Sequence, residues 1–127
     1  MPAKKKPVRP SSPEYLASLA AYERLVATNP ALERKGDTMP FTAVNGNMFS
    51  LLTREGKLVL RLPPDGRAVF RERHGTGPVV LYGAPMDEYV EVPDALLEDT
   101  PALSAYFEQS YAYAGSLRPK PSAKRKS

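Results

Sequence analysis

An Asn-Gly pair, Asn45-Gly46, lies between two runs of residues that favour β-strands, 38–44 and 47–53. Asn-Gly readily adopts the two positive φ angles of a type I′ turn, whose twist matches that of two antiparallel strands. The pair therefore predicts a tight β-hairpin. A third strand is predicted at 57–62, where leucine stands at every second position, so one face of the sheet is expected to be apolar and the other mixed.

Three helices are predicted from the spacing of apolar residues and from capping signals. The first begins at Ser12 and Pro13, a capping hydroxyl followed by a ring that fits the first helical position, and ends before Asn29. Its predicted apolar stripe consists of Leu16, Leu19, Tyr22, Leu25 and Val26. A short second helix is predicted at 65–74 and a third at 100–115.

Two more short strands are predicted at 79–82 and 86–92, on either side of a Gly-Ala-Pro turn. The element order is then α-β-β-β-α-β-β-α, which predicts an α+β fold. Helices are expected to cover one side of an antiparallel sheet, giving a two-layer α/β sandwich. The other side of the sheet is expected to be open to a partner.

Basic residues are concentrated at the two ends of the chain. The net charge is +4, but residues 13–117 hold nine basic and 14 acidic residues, a net charge of −5. The other nine basic residues are Lys4, Lys5, Lys6, Arg9, Arg118, Lys120, Lys124, Arg125 and Lys126. We therefore predict one domain at 13–117 between two disordered basic tails, 1–12 and 118–127.

Several classes of protein are disfavoured by composition. The chain has no cysteine, which excludes disulfides, thiolate metal sites and a cysteine nucleophile. No apolar run reaches the roughly 18 residues that a membrane-spanning helix needs, so no membrane association is expected. We predict a soluble, cytoplasmic protein.

Catalytic and cofactor motifs are not recognised in the sequence. His74 is the single histidine and is expected at a helix end, where an imidazole interacts favourably with the last carbonyls. Two acidic groups are expected to be solvated surface residues, since they lack histidine support and calcium-loop spacing: Asp87, Glu88 and Glu91, and separately Glu98 and Asp99. We therefore expect no enzyme activity, no metal and no cofactor.

Two groups of residues are candidates for binding. On the mixed sheet face, Thr42, Arg61 and Tyr89 offer a hydroxyl, a forked cation and an aromatic ring; the alternative is that they make ordinary cross-strand contacts. A register slip of one residue would turn each side chain to the opposite face. The nine cations of the two tails are the second group, and they either contact nucleic acid without reading sequence or only keep the protein soluble.

The run ERKGDTMPFTAVNGNMFS at 33–50 resembles the signature of small bacterial proteins that carry a TfoX N-terminal-like domain. The segment 88–93 and the ending at 106–121 resemble the last strand, last helix and basic tail of the same family, so the resemblance covers roughly 13–121. It implies a two-layer fold like that of type III secretion chaperones. Some relatives with an additional C-terminal domain regulate competence genes, so the resemblance also implies a regulatory setting.

These observations lead to two functional hypotheses. The first is a non-enzymatic binding module that acts on a protein or on nucleic acid in a regulatory setting. The second is a chaperone-like or homodimeric protein whose exposed sheet face is covered by another chain.

Overall fold

The computed structural model describes residues 12–36, 39–77, 79–81 and 83–119. Its elements are α1 (Pro13–Ala27), β1 (Phe41–Val44), β2 (Asn47–Leu52), β3 (Leu58–Arg61), α2 (Pro64–His74), β4 (Val80–Leu81), β5 (Ala84–Pro85), β6 (Tyr89–Val92), α3 (Asp94–Leu97) and α4 (Thr100–Ser116). The predicted α+β class is confirmed.

The main sheet has four antiparallel strands in the order β1-β2-β3-β6. Strands β4 and β5 form a separate two-stranded ribbon. The segment 79–82 was predicted as a strand of the main sheet, and the structure instead pairs its described part with Ala84–Pro85. The short helix α3 was not predicted, because a four-residue helix is too short to show an apolar period.

All four helices contribute to one apolar core on the same side of the main sheet. Its centre holds four aromatic side chains that are fully buried, namely Tyr22, Phe49, Phe70 and Phe107. The Phe49 ring lies 5.5 Å from Phe107, in a tilted arrangement that aromatic pairs favour. Burying each such side chain contributes about 1.5–3 kcal/mol to the hydrophobic stabilisation.

The apolar stripe of α1 differs from the prediction at one position. Leu16 is 48% exposed, whereas its neighbour Tyr15 is 5% exposed. A helix turns about 100° per residue, so Leu16 lies nearly opposite Leu25, nine residues further on. The core stripe therefore begins at Tyr15, and the prediction that Leu16 belongs to the core is wrong.

The predicted hairpin is confirmed, with one irregularity. Asn45 and Gly46 have φ angles of 55° and 79°, as a type I′ turn requires. The register then shifts between Thr42 and Ala43, because Phe49 is an extra residue on β2. This β-bulge lets Phe49 and Ser50, although adjacent, both be fully buried.

Candidate functional site

The face of the main sheet that points away from the helices, here called the outer face, carries a second apolar cluster. Four buried side chains form it, Leu51, Val59, Val79 and Tyr89. Val79 comes from the segment before β4, so this segment covers part of the face that was expected to be open. Five partly buried side chains surround the cluster, and together we call them the outer-face patch: Met39, Phe41, Met48, Leu81 and Met86.

The outer-face patch contains every methionine of the described residues, since the fourth methionine of the chain is Met1. Its members come from the loop before β1, from two strands, from the ribbon and from the turn before β6. Sequence reasoning missed this group, because isolated methionines in separate elements produce no periodic signal. Only the fold brings them together.

Arg61 and Tyr89 face each other across β3 and β6 on the outer face. The Arg61 guanidinium carbon lies 6.0 Å from the centre of the Tyr89 ring, within the range of a cation–π contact. Arg61 Nε donates to Glu88 Oε1 at 2.6 Å, and its Nη2 lies 2.5 Å from the same oxygen. The predicted neighbours Arg61 and Tyr89 are thus together.

The Tyr89 hydroxyl donates to the backbone carbonyl of Met48 at 2.7 Å. Burial raises the pKa of Tyr89, while the nearby charge of Arg61 opposes that rise. The hydroxyl therefore stays protonated as a donor at neutral pH, and it ties β6 to the β2 strand that carries Met48. Tyr89 is only 8% exposed, and the side chains of the outer-face patch pack against the cluster to which it belongs.

Thr42 lies on the opposite face, so the prediction that it projects beside Arg61 and Tyr89 is wrong. It is fully buried, and its hydroxyl lies 2.5 Å from Ser50 Oγ. The Tyr22 hydroxyl of α1 lies 2.6 Å from the same Ser50 oxygen. The bulge at Phe49 explains the difference, because without the extra residue Thr42 would pair with Phe49 and face outward.

Hydrogen bonds from outside the main sheet reach backbone groups at both of its edges. On β1, the backbone groups of Phe41 exchange two hydrogen bonds with Lys35, at 2.8 and 2.9 Å. At the β6 edge, Arg71 Nη2 donates to the Tyr89 carbonyl at 3.1 Å and Arg67 Nη1 to the Asp87 carbonyl at 3.0 Å. Because edge groups are what an added strand would pair with, these contacts leave fewer of them open to strand addition.

His74 is the last residue of α2, as expected, and Gly75 follows it in the left-handed conformation with a φ of 67°. Its Nε2 lies 3.3 Å from the Tyr106 hydroxyl, and its ring packs on Phe70. Within the described ranges, no group of three or more histidine, cysteine or acidic residues is placed to hold a metal ion. The same residues include no helix with the length and apolar character needed to cross a membrane.

Of the nine tail cations, the structure describes Arg118 alone. Arg118 is exposed, and its backbone carbonyl accepts a hydrogen bond from Asn47 Nδ2 at 3.1 Å. The others lie outside the described residues: Lys4, Lys5, Lys6, Arg9, Lys120, Lys124, Arg125 and Lys126. Their contact with nucleic acid stays a prediction.

Comparison with known proteins identifies the family of the chain. No curated protein matches the chain. The family model for the TfoX N-terminal domain matches residues 40–114, more than half of the 127 residues. The match runs from the residue before β1 into the last turns of α4 and so includes the whole main sheet. The chain therefore belongs to the TfoX N-terminal domain family.

Proposed function

We propose that the protein is a non-enzymatic binding module in a regulatory setting, and that it binds an apolar segment of a partner protein on the outer-face patch. The observation that carries the proposal is the group of five large apolar side chains that stay partly exposed around the second apolar cluster, which includes Tyr89. Among the described residues, the helix-side cluster has 17 buried side chains and six partly buried ones, whereas the outer face has only four buried side chains for its five partly buried ones.

The composition of the patch supports a protein partner. Methionine and aromatic residues are enriched at protein interfaces, and methionine adapts its shape to different partners. Tyrosine and arginine supply much of the binding energy at interface centres. The Arg61 side chain is 17% exposed beside Tyr89, so it is held in place yet still accessible.

A charge on the patch tests this proposal. In the variant Met48→Lys/Met86→Lys, two ammonium groups replace apolar contact surface, and their long stems let the charges reach water without unfolding the domain. Capture of the protein's specific partners is expected to fall by at least about tenfold, or about 1.4 kcal/mol. The measurement is quantitative crosslinking and mass spectrometry on cells that express the full chain.

The matched control is Val69→Lys, because Val69 is 55% exposed and lies on α2, on the helix side of the sheet. It should keep the partners that the patch variant loses, while circular dichroism shows both variants folded. If the two variants captured the same partner proteins, the proposal would be contradicted. Light scattering on the same samples tests the chaperone-like or homodimeric alternative, in which the wild type is a dimer and the patch variant a monomer.

We propose a second, accessory activity, which is nonspecific contact with nucleic acid through the basic tails. Its support is the separation of charge along the chain, with nine cations and no acid in the tails and a net charge of −5 between them. An acidic body repels phosphate, so attraction to nucleic acid has to come from the tails. Each phosphate contact that they make releases counterions.

Neutralising the tails tests this activity better than deleting them. The Ser12 side chain caps α1, and the Arg118 carbonyl binds Asn47, so both residues are kept. Changing the eight other tail cations to glutamine should weaken duplex DNA binding at least about tenfold and flatten its salt dependence by up to about 0.9 per lost contact. Fluorescence anisotropy across a salt series measures both, and an unchanged slope would assign DNA contact to the folded body.

A further inference from the structure

A cleft on the outer face lies beside the buried end of the second apolar cluster. Its volume is about 280 Å³, and it opens between the β2–β3 turn and the β4–β5 ribbon. Val59 and Val79 are almost completely buried at 1% and 4% exposure, whereas Val80 is 60% exposed. Leu81 completes the apolar lining. A strongly exposed valine at the mouth of an apolar cleft is a surface that a partner side chain can cover.

The rim of the cleft carries an unbalanced negative charge. Glu55, Lys57 and Glu91 lie along it. The Lys57 ammonium already contacts both carboxylate oxygens of Asp94, at 3.1 and 3.2 Å. Glu55 and Glu91 are exposed and form no ion pair with another described residue. Two carboxylates that form no ion pair within the described part of the chain therefore border an aliphatic cavity.

We infer that this cleft receives a branched aliphatic side chain of the partner protein, next to a lysine or arginine that pairs with Glu55 or Glu91. The inference rests on the proposed function, because it specifies the chemistry of the segment that the outer face binds. The volume is just below the range of small-molecule sites, which favours one side chain over a whole ligand. The aliphatic walls offer apolar contact, and the rim favours cations over anions beside it.

The position of Glu91 links the cleft to the rest of the face. Glu91 and Val59 are register partners on β6 and β3, and Arg61 and Tyr89 are the partners two residues further along. A partner segment that runs along these strands would place an aliphatic side chain in the cleft and apolar side chains on the outer-face patch. Side chains two residues apart in an extended segment point the same way, which suits this arrangement.

Three short peptides test the inference on the full chain by NMR. The acetylated and amidated peptide Gly-Lys-Val-Arg-Gly is expected to shift the methyl signals of Val59, Val79, Val80 and Leu81, with millimolar affinity because a flexible peptide loses freedom on binding. A peptide with both cations changed to glutamate, and one with valine changed to serine, should each bind at least about threefold more weakly. Equal binding of the three peptides, or no methyl shift with the first, would overturn the inference.

Charge variants of the rim locate the contact. Glu55→Gln/Glu91→Gln should weaken binding of the lysine-arginine peptide about threefold and remove most of its salt dependence. The control Glu72→Gln changes an exposed carboxylate on α2 and should leave binding unchanged. Weakening by both variants alike would show a general charge effect and count against the cleft.

The two proposals fail separately. If the charged patch variant loses its partners while the peptides leave the cleft methyl signals unmoved, the partner chemistry is wrong and the binding face stands. If the first peptide binds the cleft but the patch variant keeps all partners, the binding face is wrong. Methyl shifts that depend on protein concentration without peptide would identify a second copy as the occupant and overturn the inference.

Discussion

Replacing Leu25 by alanine is expected to lower the free energy of unfolding by about 2–5 kcal/mol, whereas Leu16→Ala should lower it by less than about 1 kcal/mol. Both leucines fit the apolar spacing of α1 in the sequence. In the structure Leu25 is fully buried, and Leu16 is 48% exposed. The buried leucine leaves a cavity when it is shortened, while the exposed one loses only part of its contact with its neighbours.

Urea denaturation followed by circular dichroism measures both changes. The two substitutions are chemically identical and lie on the same helix, so effects of helix propensity cancel between them. The slope of the unfolding free energy against urea concentration should be the same for the wild type and both variants if the native fold is kept. Similar losses for the two variants would mean that α1 is rotated relative to the orientation described above.

Local signals in the sequence were enough to predict most of the main elements. Two residues, Asn45 and Gly46, are enough to specify the turn, because their φ preferences select the turn type. The start of α1 is likewise local, since the Ser12 hydroxyl accepts from the Tyr15 amide at 3.1 Å. A strand at 79–82 was predicted, but its pairing with Ala84–Pro85 in a separate ribbon was not, because strands of two residues show no alternating pattern.

Two of the three predicted sheet-face residues lie together, and the third does not because of one extra residue on β2, Phe49. The pairing of Arg61 with Tyr89 follows from regular alternation on β3 and β6, and no bulge interrupts these strands. The placement of Thr42 needs the register of β1 against β2, which the extra residue Phe49 shifts by one. A sequence pattern does not specify where a bulge falls, since either face of a strand with several apolar residues can be buried.

That shift gives the core a buried hydroxyl network. Tyr22 of α1, Ser50 of β2 and Thr42 of β1 meet through two hydrogen bonds of 2.6 and 2.5 Å, and all three residues are fully buried. Ser50 joins the other two. Buried hydroxyls are costly unless they are hydrogen-bonded, so the network favours the one register in which all three side chains meet.

The burial of Tyr22 makes the stability of the fold depend on pH in the alkaline range. Burial raises the pKa of Tyr22 to about 12 from its ordinary value of 10.0, although the hydrogen bonds with Ser50 and Thr42 act in the opposite direction. Above pH 10.0 the unfolded chain loses this proton and the folded chain keeps it. Stability is therefore fully present below pH 10.0 and falls as the pH rises toward 12, by about 2–3 kcal/mol in all.

Tyr22→Phe is expected to reverse its stability ranking against the wild type as the pH rises. At neutral pH the variant loses the hydrogen bond to Ser50, so it should be less stable by about 1 kcal/mol. It has no proton to lose in the unfolded state, so this contribution to the alkaline fall is absent. The two curves should cross at roughly pH 10.7, where the wild type has lost about 1 kcal/mol through Tyr22.

Urea denaturation at intervals between about pH 8 and pH 11.5 measures the crossing, because other titrating groups are common to both proteins and cancel in the difference. Ser50→Ala is the matched control. It breaks the same hydrogen bond but keeps the tyrosine, so it should be less stable at neutral pH and show an alkaline fall at least as large as that of the wild type, because the Ser50 hydrogen bond lowers the Tyr22 pKa. A constant difference between Tyr22→Phe and the wild type across the whole range would mean that the Tyr22 hydroxyl is hydrated in the folded protein and not sealed between α1 and the sheet.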